Sequence, residues 1–142
     1  MDPDNAIMRI CAQGVAAEIA LRRDEAHALF LHAWRSSTDN VEACIAAHYV
    51  GRLQSDDQQA LWWNQIALAR ADAVRDGRVR SFYASLHLNL GMAHEKLGQL
   101  AHARHHFQRA AASVADIIDD GHRVLVEYGI NRGLERTRTA GS

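Results

Sequence analysis

The stretch from Ser85 to Ala110 holds five of the chain's nine histidines. His102 with His105 or His106 has the i, i+3 or i, i+4 spacing that could grip a zinc or nickel ion from one helix face. A structural zinc needs four placed ligands, however, and the surrounding residues are Arg104, Gln108 and Arg109, with no acid or cysteine beside them. These histidines, like His27 and His32, are read as a solvated outer face, and no metal is expected. Cys11 and Cys44 lack a CxxC spacing and are too few for a disulfide framework, which points to a reduced, cytoplasmic setting. Phosphate-loop, dinucleotide, HExxH and GxSxG signatures are all missing. His48, Tyr49 and Arg52 could carry acid–base chemistry, but no nucleophile pairs with a base in sequence, so neither catalysis nor a cofactor is expected.

The elements that position these side chains are helices. One proline in 142 residues, with abundant Ala, Leu, Arg, Gln and Glu, favours helix throughout. Apolar residues recur with helical period, and no stretch alternates as a strand would. Breaks near Leu21–Arg23, Ser36–Asp39, Gln54–Asp56, Asp76–Gly77, Gly98–Gln99 and Asp120–Gly121 leave seven helices. Asp39 with Glu42, and Ser55 with Gln58, have capping-box spacing, and Asp2–Pro3 suits a helix start. The formal net charge of −1 supplies no field for nucleic acid or an anionic membrane. Arg132, Arg136 and Arg138 are read as a solvated helix end. No apolar run reaches the length of a membrane span, and Met1–Asp4 is the wrong opening for a signal peptide. By length, residues 1–142 form a single domain.

A repeat runs through the helices. Ala26, Phe30 and Ala33 are spaced like Ala103, Phe107 and Ala110, and like Ala60, Asn64 and Ala67. Gly14 stands twelve residues before its alanine, as Gly91 of the Leu90–Gly91 pair does. This pattern resembles the tetratricopeptide repeat, a helix–turn–helix of about 34 residues. The resemblance implies an all-α, right-handed superhelix of antiparallel pairs, with repeats at about 7–40, 41–77 and 78–119 and a capping helix at about 122–138. Ala26 and Ala60 are 34 residues apart, whereas Ala60 and Ala103 are 43 apart. The longer interval, marked by Asp76–Gly77 and again by Asp120–Gly121, looks like the extended helices of bacterial regulatory and signalling members.

Such repeats bind partners in the groove lined by the first helix of each unit. Helical spacing places Met8, Cys11, Val15 and Ile19 there. Glu42, Ile45, Tyr49, Arg52 and Leu53 follow from the second unit, then Ser85, Leu88, Asn89, Met92, Glu95 and Lys96 from the third. The resemblance therefore implies a non-enzymatic adaptor, scaffold or regulatory module that takes a protein or peptide. The clamp by which chaperone-tail binders hold a carboxylate is incomplete here, since the first unit offers Met8, Cys11 and Val15. The second unit departs from the family with His48 where Gly or Ala is usual and Asn64 where Phe is usual. His48 and Asn64, with Trp63 beside them and His87 as a third member, form either a buried hydrogen-bonded network or a small polar pocket. The second alternative makes the chain a ligand-binding or catalytic pocket protein; a secretion-type chaperone of similar size is another.

Overall fold

The computed structural model describes residues 4–140, and all of the regular structure among them is helical. Seven α-helices follow one another: α1 (Ala6–Ile19), α2 (Arg23–Ser36), α3 (Asn40–Arg52), α4 (Asp57–Asp72), α5 (Tyr83–Lys96), α6 (Leu100–Ser113) and α7 (Asp120–Arg136). Short 3₁₀ turns at Arg80–Phe82 and Val114–Asp116 precede α5 and follow α6. Neighbouring helices pack in antiparallel pairs, α1 with α2, α3 with α4 and α5 with α6. The chain forms two compact units that divide between Val74 and Arg75. No helix among the described residues is long and apolar enough to cross a membrane.

In the first unit, Asn5 starts α1 by accepting from the Ile7 and Met8 amides at 2.8 and 3.1 Å. The Asp2–Pro3 start expected from the sequence lies outside the described residues. Asp39 caps α3 by accepting from the Glu42 N–H at 2.8 Å, as its spacing predicts. The α4 cap is one residue later than expected: Asp56, not Ser55, accepts from the Gln59 N–H at 3.0 Å. A carboxylate there also gains from the positive end of the helix dipole, which a serine hydroxyl does not. Phe30 is fully buried between the Gly14 backbone and the Tyr49 ring, which stacks on it at 4.8 Å and 11°. Ala17, Ala26, Val50 and Leu53 complete that cluster.

The second hairpin closes in a different register from the first. Ala60 is only half-buried, and Gly51, not His48, is the close-approach residue on α3. A Cβ on Gly51 would meet the Trp63 Cβ at 3.1 Å and the Asn64 Oδ1 at 3.5 Å. Trp63 and Trp34, edge to face at 5.3 Å, supply the bulk that a phenylalanine gives elsewhere.

In the second unit, Ala103, Phe107 and Ala110 are fully buried. Phe107 is sandwiched between two glycine backbones, Gly91 on α5 and Gly133 on α7. Asp76–Gly77 does not sit amid extended helices. It lies in the irregular stretch from 73 to 79, with Gly77 at φ 80° and the Asp76 carboxylate accepting from the Arg78 guanidinium at 2.7 Å. The 43-residue interval therefore reflects a long connection, since α4 and α5 have 16 and 14 residues. Asp120–Gly121 likewise opens α7 instead of closing a unit, with Asp119 accepting from the His122 N–H at 2.7 Å.

Candidate functional site

The nominated side chains of α3 divide into two groups. Glu42 is buried at the helix start, where its carboxylate accepts from Asn5 Nδ2 at 2.8 Å and from the Thr38 N–H at 2.9 Å. Those hydrogen bonds, the Asn5 amide foremost, hold its carboxyl below the usual range. Glu42 thus ties the starts of α1 and α3 together, a link with no local signature because Asn5 is 37 residues away. Further along, Tyr49 is half-buried on Phe30. The Arg52 guanidinium lies 4.9 Å above the Tyr49 ring and pairs with Glu18 of α1. Burial raises the Tyr49 hydroxyl pKa, so it remains a neutral donor at physiological pH. Ile45 and Met8 are half-buried on the cluster that contains Cys11, Ala33 and Ala46.

The nominated residues of α5 are largely engaged by α7. Glu95 accepts a bidentate pair from Arg136 at 2.7 and 2.9 Å, and that guanidinium holds its carboxyl below the usual range. Ser85 Oγ lies 3.1 Å from His122 Nε2. Leu88 is buried, with Gly129 of α7 close enough that a Cβ there would be 3.1 Å from Leu88 Cδ2. Met92 and Lys96 are exposed, and Asn89 is half-buried.

The polar residues of the second repeat are used locally. Asn64 Nδ2 donates to the Ala60 carbonyl at 2.9 Å, within its own helix, so its buried amide is satisfied without His48. The His48 ring lies beside Tyr49 at 5.4 Å. His87 belongs to the second unit, where it is buried and bonded to His106. At the α2–α3 turn, a cleft of about 240 Å³ is lined by Trp34, Ser37, Thr38, Asp39, Asn40, Ala43 and Arg70. It includes neither Tyr49 nor His48.

His106 is not on the solvated face assigned to it. It is half-buried against α5, 3.0 Å from His87 through the two Nδ1 atoms, so one ring donates and the other accepts. Its ring stacks 5.2 Å from His94, which in turn stacks 5.3 Å from His102. His94 Nδ1 also bonds Gln99 Oε1 at 2.7 Å. Burial first, then His87 and His94, pushes the His106 pKa down to about 4. Stacked rings do not converge their lone pairs on a point, and no group of three metal-ligating side chains occurs among the described residues. Both cysteines are buried free thiols; burial pushes Cys11 up to about 11 and Cys44 to about 12, leaving little thiolate.

The fold and these sites define an all-α protein of paired, internally repeated helices. No family model, curated protein or solved structure matches the chain.

Proposed function

We propose that this chain is a tetratricopeptide-like repeat protein, cytoplasmic and non-enzymatic, that binds a protein or peptide through the α1–α3 face of its first unit. The observation that carries this reading is the Tyr49–Arg52–Glu18 arrangement. An aromatic ring is clamped on a buried phenylalanine and overlaid by a guanidinium that is itself held by a carboxylate. Tyrosine and arginine anchors held rigidly on helices lose little side-chain entropy on binding and dominate interface energies. Met8 and Ile45 supply half-buried apolar surface on the same two helices. Two thiols kept free and buried support a reducing compartment.

Tyr49 also packs on the core, so its removal would destabilise the unit and confound a binding assay. The informative variants are Arg52→Ala and Tyr49→Phe, which leave the ring in place. Quantitative affinity capture from the native cytoplasm, with melting temperature as a control, is expected to lose specific partners about thirtyfold with Arg52→Ala. Capture that is unchanged in the Arg52→Ala, Tyr49→Phe double variant refutes this surface.

A further inference from the structure

Helix α7 repeats the position of α3. Asp119 and Asp39 cap them in the same way, and Val126 and Ile130 are buried where Ala46 and Val50 are buried, each pair 80 residues apart. The correspondence fails on one face. Cys44 of α3, packed in the α3–α4 pair, is 1% exposed, whereas its counterpart Val124 is 61% exposed. Leu125 and Tyr128 are 71% and 66% exposed beside it, and Ile118 lies open just before the helix. No helix among the described residues follows α7 to cover this face.

Charge says what fits there. The apolar patch is flanked at the start of α7 by Asp116, Asp119 and Asp120 and at its end by Arg132 and Arg138. The Asp120 and Arg132 side chains are 85% and 55% exposed, although each has a neighbour in its own helix, Arg123 and Glu135. Val124 and Tyr128 are centred on residue 126, and so are Asp120 and Arg132. One two-fold axis at that residue would therefore place Tyr128 over Val124 of a partner and Asp120 beside its Arg132. We propose that the exposed face of α7 is a self-complementary surface on which a second copy of this chain docks antiparallel, about a two-fold axis at residue 126. The interface is isologous, with the apolar patch at its centre and two symmetry-related acid–base pairs at its rim. A single helix face buries less than a standard interface, so the dimer is transient, with a micromolar dissociation constant. The surface is independent of Tyr49 and Arg52.

Sedimentation velocity on the full chain over a concentration series is the test. The wild type is expected to dimerise reversibly, and Leu125→Asp to raise the dissociation constant about thirtyfold or more while its thermal melt stays unchanged. Asp120→Arg and Arg132→Asp are each expected to weaken dimerisation severalfold, and the chain carrying both to recover it, because the pair is restored with its signs exchanged. A wild type that stays monomeric, including one whose α7 face is covered by a different protein, overturns the proposal. So does a dimer indifferent to Leu125→Asp, and failure of the double exchange to recover association overturns the antiparallel register.

Discussion

Adding one methyl group at Gly91 should unsettle the second unit more than its size suggests. An alanine Cβ there would lie 2.5 and 2.6 Å from Cε1 and Cδ1 of Phe107, roughly 1 Å inside normal carbon contact. The ring has nowhere to retreat. It is fully buried, and its opposite side faces Gly133, whose own Cβ position lies 2.6 Å from two ring atoms. Relief therefore requires α5 or α7 to move as a body. Overpacking of this kind costs about 1–3 kcal/mol, while alanine returns about 1 kcal/mol over glycine in a helix interior. Gly91→Ala should thus be destabilising by a net of up to about 2 kcal/mol in urea unfolding. The matched control is Gly121→Ala, where the nearest atom is Asp119 Oδ2 at 3.5 Å and no penalty is expected. Phe107→Leu in the Gly91→Ala background should show favourable coupling of about 1 kcal/mol, because the smaller side chain makes room for the methyl. A Gly91→Ala variant as benign as Gly121→Ala, or costs that simply add in the double variant, would refute the sandwich.

Two further outcomes follow from local geometry. Leu21 holds φ 63° at the α1–α2 turn while 90% exposed, and the α5–α6 turn uses Gly98 at φ 74° in the same place; Leu21→Gly should stabilise by about 0.5–1 kcal/mol, and a lower melting temperature would contradict this. His106 has a folded-state pKa of about 4 against an ordinary 6.5, so the unfolded chain takes up the proton first; its contribution to stability is present above pH 6.5 and is lost as pH falls toward 4. Urea midpoints measured across that window should drop for the wild type and flatten in His106→Asn, and parallel profiles would remove His106 as the cause.

Helix positions and hairpin partners were legible because both depend on local periodicity and on caps within three residues. Ala26, Phe30 and Ala33, and their counterparts Ala103, Phe107 and Ala110, are fully buried where their spacing puts them. The second hairpin departs from the repeat spacing because Gly51, rather than the repeat position His48, allows α3 and α4 to meet, and two tryptophans replace the missing phenylalanine. Its polar residue Asn64 turned to its own helix, a choice that repeat spacing does not encode. The histidine stack is not legible in the sequence because His102 and His106 flank the buried stripe of α6, and periodicity does not say which flank meets α5. Glu42 fitted both a capping box and a groove lining. The distant Asn5 amide, invisible to local pattern, completes its role at the helix start.

Within each unit, every helix packs on a neighbour one or two places away in the chain: α2 on α1, α3 on both, α4 on α3, then α6 on α5 and α7 on both. Such an order suits synthesis from one end. When Ser36 has left the ribosome, Phe30 already has the Gly14 backbone to pack on, and the following helix brings Tyr49 to close its other side. No early segment has to wait for a distant strand, so little apolar surface stays open while the rest is made. Phe107 waits longer than Phe30 does, since the second glycine of its sandwich comes 26 residues later, on α7, whereas Tyr49 follows Phe30 by 19. A nascent chain stalled between α6 and α7 would leave one face of that ring uncovered, the state in which this unit is most open to a chaperone.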